Sequence, residues 1–295
     1  MLLEDHIRKN KRDTVVICMF MVLLLFSVIF AIGLVLGVPP YFTMAIALPI
    51  ALFYLLITYS FSVQTVISAA GARPANPQVR EEKMLIYKVE EMAIAAGMPV
   101  PKVYVQDSRD INAFATGKKP EESVVCATTG AIQQLDKEEL EGVIGHEMSH
   151  IKNRDILVMT VTVAVVGTIA LLAEIALRSL FWSGGGRGNK KGGGIAVLIA
   201  IIFIVLAPIF SRLTYLAISR RREYLADADG AYLTRNPEGL ARALEKIKAD
   251  LPDDPKGSKT VAPLYIANPF KRALRDSIWS THPPLDERIK RLRSM

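Results

Sequence analysis

The stretch Asp136-Lys137-Glu138-Glu139-Leu140-Glu141-Gly142-Val143-Ile144-Gly145-His146-Glu147-Met148-Ser149-His150 decides how this chain is read. Asp136 followed three residues later by Glu139 is a capping-box pattern, so a helix opens there and is expected to run to about Asn153. On that helix His146 and His150 are four residues apart, share one face, and present two imidazoles to a single ion. Glu147 is offset on the same face, close enough to reach a metal-bound water without ligating the metal. Zinc held by three protein ligands and one water lowers the pKa of that water to about 7, and a neighbouring carboxylate can take its proton. The chain has only four histidines, so two of them at this spacing around a glutamate point to hydrolytic metal chemistry rather than to chance. Gly142 and Gly145 each weaken the helix by about 1 kcal/mol relative to alanine, which a purely structural helix would not favour.

A third ligand has to come from elsewhere in the chain. Arg222-Glu223-Tyr224-Leu225-Ala226-Asp227 offers two carboxylates at helical spacing. One of Glu223 and Asp227 can bind zinc while the other accepts the N–H of a ligating histidine and fixes its orientation. The small residues Ala226, Ala228, Gly230 and Ala231 suit close helix packing at that point.

The metal motif is embedded in an apolar chain. Of 295 residues 51% are hydrophobic, and residues 14–72 contain no Asp, Glu, Lys or Arg. A bilayer core needs about 20 apolar residues in helix, so two spans fit, near residues 15–38 and 42–61, with Pro39 and Pro40 breaking the helix between them. The first apolar run is too long for a signal peptide and lacks a small-x-small cleavage site, so a retained anchor is expected. Two weaker apolar runs, residues 156–173 and 195–211, enclose a glycine-rich loop at 183–194. Arg8, Lys9, Lys11 and Arg12 place the N-terminus in the cytoplasm, and two spans return the chain to that side; Arg187, Lys190 and Lys191 in the later loop weaken this orientation without reversing it. The expected organisation is a membrane hairpin at 1–61, a first catalytic part at 62–155, a second apolar hairpin at 156–218, and a second catalytic part at 219–295.

Several alternatives are excluded. A site within the bilayer would have to bury Lys137, Glu138, Glu139, Glu141, Lys152, Arg154 and Asp155. A structural zinc site would close its fourth position, usually with cysteine, and Cys18 and Cys126 are not patterned for that or for a disulfide. The net charge of +7 suits an anionic membrane surface, and no nucleic-acid motif is present.

In the polar regions, a helix near residues 80–96 should bury Leu85, Val89, Met92 and Ala96 and stop at Gly97. Short β-branched or apolar runs at 103–105, 111–115 and 123–127 predict a small sheet. Further helices are expected at 219–233, after an Asn236 cap with Pro237, and after Pro284, where Leu285, Ile289 and Leu292 face a core. His282 is read chiefly as part of the start of that last helix, with substrate or oxyanion contact as the alternative.

The two N-terminal spans, the H-E-x-x-H just before an apolar hairpin, and the segment Ser219-Arg220-Arg221-Arg222-Glu223-Tyr224-Leu225-Ala226-Asp227 together resemble the HtpX family of membrane-bound zinc endopeptidases, relatives of the CAAX prenyl proteases. The resemblance covers essentially the whole chain. It implies one zinc ion held by His146, His150 and Glu223, with Glu147 as general base and Asp227 beside the ligands. It also implies a mostly α fold of integral membrane helices with a zincin-like α+β catalytic domain carrying a small sheet. The expected partners are unfolded or membrane-protein substrates and the lipid bilayer. The expected setting is a multi-pass protein of the plasma (inner) membrane that degrades misfolded or damaged membrane proteins from the cytoplasmic side. Asn112-Ala113-Phe114-Ala115 resembles the family's edge strand beside the cleft, which would hold substrate backbone through Asn112 and Ala113.

Overall fold

The computed structural model describes residues 3–35, 38–167, 202, 206, 209, 220–250, 261–267 and 282–295. Most of the apolar run expected at 195–211, the loop at 183–194 and the end of the run at 156–173 lie outside these residues. Helix α1 (Leu3–Val35) and helix α2 (Pro40–Ser60) form the N-terminal hairpin. The break falls at the predicted prolines: Pro39 is the N-cap of α2 and Pro40 its first residue, where the missing N–H costs no helical bond. Helix α2 is the one helix among the described residues long and apolar enough to cross a membrane. Its outer face, with Phe42, Ile46, Ile50 and Phe53, is exposed and needs an apolar cover.

Helix α1 begins well before the predicted span, because its polar start is not a tail. Arg8, Lys9, Lys11 and Arg12 are exposed, but Asn10, Thr14, Ile17 and Met21 are buried on one face against the rest of the protein. A short helix α3 (Ser62–Ala70), absent from the sequence reading, follows α2 and is ended by Gly71 in the left-handed conformation.

The polar region folds into four strands and the helices packed on them: β1 (Ala72–Pro74), α4 (Arg80–Ala96), β2 (Lys102–Gln106), β3 (Ala113–Thr116), β4 (Val124–Thr128), α5 (Thr129–Gln134) and α6 (Lys137–Lys152). The sheet order is β1-β2-β4-β3; β2 and β4 are parallel and the outer pairs antiparallel, so β3 is an edge strand. Strand alternation sends Val105, Ala113, Ala115, Val125 and Ala127 into a core with α4 and α6. On the opposite face Tyr104, Cys126 and Phe114 lie in cross-strand register and pack against Ile17 of α1, Val66 of α3, and Val158 and Met159 of helix α7 (Asp155–Gly167). The catalytic sheet and the N-terminal hairpin therefore share one apolar layer. Helix α7 is the described start of the third apolar run, and most of its side chains, among them Ile156, Val161 and Val163, are buried in protein.

Helices α8 (Arg220–Thr234), α9 (Pro237–Ala249) and α10 (Leu285–Arg293) complete the core. The predicted Asn236 cap is made, with its side-chain Oδ1 accepting from the Gly239 N–H. Helices α6 and α8 touch at their glycines. A Cβ on Gly142 would meet the Leu240 backbone nitrogen of α9 at 2.6 Å, and one on Gly230 would meet the His146 nitrogen at 2.8 Å. The helix-weakening glycines are thus contact points. Glu223, Asp227 and Gly230 share one face of α8, so Gly230→Ala is expected to push that face off His146. The expected result is about 1–3 kcal/mol of overpacking, read by thermal unfolding.

Candidate metal centre

Helix α6 brings the two histidines to the α8 face. Its capping box forms as read: the Asp136 side chain accepts from the Glu138 and Glu139 N–H groups, and the Glu139 carboxylate accepts from the Asp136 N–H. The helix ends at Asn153, and Arg154 (φ 60°) turns the chain directly into α7.

His146, His150 and Glu223 are all buried, and one ligand atom from each lies within 4.8 Å of the others. Glu223 Oε2 is 3.8 Å from His146 Nε2, and Glu223 Oε1 is 3.6 Å from His150 Nε2. Ligands bound tetrahedrally at about 2.0–2.1 Å would sit roughly 3.4 Å apart, so a zinc ion needs only a small inward adjustment. Among the described residues His146 Nε2 and Glu147 Oε1 are buried without a hydrogen-bond partner, which suits a metal ligand and a proton acceptor facing the same space. The donor set of two imidazoles and one carboxylate fits zinc and leaves a position open.

Each imidazole is oriented through its other nitrogen. His146 Nδ1 lies 3.0 Å from Asp227 Oδ1, the partner expected from the sequence, and His150 Nδ1 lies 3.0 Å from Asp155 Oδ2. Asp155 was visible in the sequence only as a flanking charge. Arg288 was missed altogether. It is fully buried and forks onto Asp227, with Nε 2.8 Å from Oδ2 and Nη2 2.7 Å from Oδ1, and its Nη1 donates to the Ile266 carbonyl at 2.8 Å. The signal was its spacing: Arg288 shares the buried face of α10 with Leu285 and Leu292. His282 also belongs here, buried with Nδ1 3.2 Å from Glu223 Oε2, so it does more than start a helix.

The two imidazoles differ. Burial lowers His146 toward the neutral form a metal requires. Burial also works against the His150 charge, but Asp155 and Glu223 outweigh it and raise that ring to about 9, so a metal bound there displaces a proton. Burial pushes the Glu147 carboxyl up to about 7, opposed by the neighbouring His150. Burial likewise works against the Asp227 charge, but Arg288 and His146 outweigh it and hold the carboxyl at about 2. Glu223 stays well below the usual carboxylate range despite burial, through His282, His150 and Arg288.

Strand β3 lies against α6, and the Ala115 backbone N–H favours the ionised form of the Glu147 carboxylate. The outer edge of β3 is not bare. The Ile266 N–H donates to the Ala113 carbonyl at 2.9 Å, and the Asn112 side-chain amide donates to the Ala267 carbonyl at 2.8 Å.

A buried two-histidine, one-glutamate cluster beside a carboxylate, built on two helices and a small sheet, defines a metallopeptidase centre. Residues 79–295 match the model of Peptidase family M48, and the chain belongs to that family. "Protease HtpX homolog" of Thermoanaerobacter pseudethanolicus is 48% identical over 243 residues, covering 81% of this chain and 80% of the relative. The protein of the same description from Streptococcus uberis is 41% identical over 304 residues and is covered end to end, as is this chain. Among solved structures, S. mikatae Ste24p aligns with 20% identity and a TM-score of 0.47, over 82% of this chain and 58% of that one. The chain is therefore a metallopeptidase of the HtpX type, and its described residues are mostly helical with one small mixed sheet.

Proposed function

We propose that this protein is a membrane-anchored zinc endopeptidase that cleaves misfolded or damaged membrane proteins at the cytoplasmic face of the plasma membrane. One observation carries the reading: the three convergent buried ligand atoms stand next to a buried Glu147 oxygen that has no partner among the described residues. His146, His150 and Glu223 hold the ion, Asp227 orients His146, and Glu147 is the general base. Bound zinc supplies Lewis acidity, lowering the pKa of a water to about 7 and polarising the scissile carbonyl. Glu147 Oε1 takes the proton of the attacking water and passes it to the departing amide nitrogen.

Substrate backbone adds to β3 as an extra strand, independent of its sequence, which suits a protease that must accept many unfolded chains. Asn112 and Ala113 are the pairing residues, and a substrate strand there must take over the bonds now made by Ile266 and Ala267. The exposed apolar face of α2 and the basic residues of α1 support an anchor of at least two spans with a cytoplasmic N-terminus. The two catalytic parts, 62–155 and 219–295, then close around the metal from either side of the apolar segment 156–218.

Purified full-length protein is expected to hold about one zinc per chain. Glu223→Ala should lose most of that zinc in metal analysis; unchanged affinity would move the third ligand elsewhere. In proteoliposomes, a destabilised membrane protein should be cleaved faster than its folded form. Equal rates for the two would remove the quality-control reading and leave the peptidase.

A further inference from the structure

Between the N-terminal hairpin and the metal centre lies a buried polar cluster whose outer members, Asn10, Asp13 and Arg222, touch none of the reacting groups. Its centre is Asp155, the first residue of α7, which is 2% exposed. One carboxylate oxygen, Oδ2, holds His150 Nδ1 at 3.0 Å. The other, Oδ1, accepts from the Asn10 side-chain amide at 2.7 Å and lies 3.5 Å from Arg222 Nε. The same Asn10 amide nitrogen donates to the Asn153 carbonyl at 3.0 Å. That carbonyl is one of the last of α6, a group the helix cannot satisfy by itself. On the next turn of α1's polar start, Asp13 Oδ2 accepts from Arg222 Nη2 at 3.0 Å. Arg222 immediately precedes Glu223.

Two side chains of the membrane hairpin thus grip both ligand-bearing helices at one place. Asn10 holds the end of α6 and the carboxylate behind His150, while Asp13 holds the residue next to Glu223. We propose that Asn10 and Asp13 are positioning residues for the metal centre, so that zinc affinity depends on how the N-terminal helix is seated. This rests on His146, His150 and Glu223 being the ligands.

The physical reason lies in how Asp155 is shared. A buried carboxylate must have its lone pairs met. Without Asn10, Oδ1 keeps only the long approach of Arg222, and the carboxylate gains by turning toward that guanidinium. Turning draws Oδ2 away from His150 Nδ1, and this bond is what fixes the ring orientation and leaves Nε2 for the metal. The pattern along α1 agrees: Asn10 is buried between the exposed pairs Arg8–Lys9 and Lys11–Arg12. An anchor whose only task was to hold the protein on a bilayer would have no use for a buried amide there. An Asn10 that merely docked the hairpin would affect stability but not the metal.

The experiment uses the full-length chain in lipid nanodiscs, with zinc Kd measured by chelator competition and cleavage of a short fluorogenic peptide measured in parallel. Asn10→Ala is expected to weaken zinc about tenfold and, at saturating zinc, to lower kcat with KM unchanged. Asp13→Asn should act in the same direction by a smaller factor. Thr14→Val is the control: Thr14 is buried on the same face of α1, but its hydroxyl bonds only to the Asn10 carbonyl of its own helix, at 2.9 Å, so its zinc Kd should match wild type. A zinc Kd for Asn10→Ala within twofold of wild type overturns the proposal, whatever happens to the unfolding temperature. Equal loss in Thr14→Val overturns it as well, since that reports general loosening of the helix. If Asn10→Ala does not yield folded protein, an unchanged Kd in Asp13→Asn decides against it. A wild-type chain that binds no zinc would instead fail the ligand assignment on which the proposal stands.

Discussion

A chain carrying Glu147→Gln is expected to bind zinc as tightly as wild type and to cleave peptide bonds about 10²–10⁴-fold more slowly. The substitution is nearly isosteric at a side chain that is almost wholly buried, and Glu147 is not among the three converging ligands. The glutamine oxygen still faces the Ala115 N–H, so β3 and α6 should keep their spacing. What disappears is the ability of the free Oε1 to take a proton. Burial raises this carboxyl to about 7, close to the operating pH at which a base is both ionised and strong enough to act. Activity requires the ionised form, so the rate should fall as the pH drops through the carboxyl's pKa. A bound cation beside it favours the charged form, which places that acid limb below pH 7. Metal content and initial rates on one preparation test the assignment. If the variant cleaves within tenfold of wild type, Glu147 is not the base.

Much of this centre was legible in the sequence because its signals are local. The i, i+4 histidines, the capping box at Asp136, and the apolar stripe of α4 each arise from one helix and need no knowledge of its neighbours. The run of small residues around Ala226 correctly announced a close approach, and Gly230 against His146 is that contact. What was not legible is what long-range packing supplies. Asp155 read only as a charge flanking the motif, because the sequence does not show that α7 starts by folding back under His150. The basic residues of α10 carry no local signal beyond their spacing that tells them apart: Arg291 and Arg293 lie on the exposed side, whereas Arg288 on the apolar side reaches the site. The polar start of α1 read as a cytoplasmic tail, since a helix gains nothing from Asn10 until a partner about 140 residues away satisfies it.

Arg288→Met should be the most damaging substitution away from the reacting groups, destabilising the protein by about 3–5 kcal/mol and weakening zinc by about 10–100-fold. Methionine fills much of the same space, so the loss comes from charge and hydrogen bonding rather than from a cavity. Asp227 would keep its buried carboxylate but lose both guanidinium bonds, and Glu223 would lose a cation 3.7 Å away. The Ile266 carbonyl would also be left bare, loosening the segment that borders the β3 edge. Arg288→Lys should restore part of the stability, since one ammonium supplies the charge but not the fork. The double variant Arg288→Met with Asp227→Asn should be more stable than Arg288→Met alone, because it removes the stranded charge; that non-additivity separates a charge effect from simple loss of packing. The pH dependence has a definite sign. In wild type Asp227 is depressed from 3.8 to about 2, so its contribution is complete above about pH 4 and is lost as the pH falls toward 2. In metal-free Arg288→Met that depression is largely gone, and protonating Asp227 relieves the buried charge. The stability gap to wild type should therefore narrow on acidification. A gap that stays constant from about pH 5 to about pH 2, or a double variant no more stable than the single one, would mean that Arg288 acts through packing and not by holding Asp227 for His146.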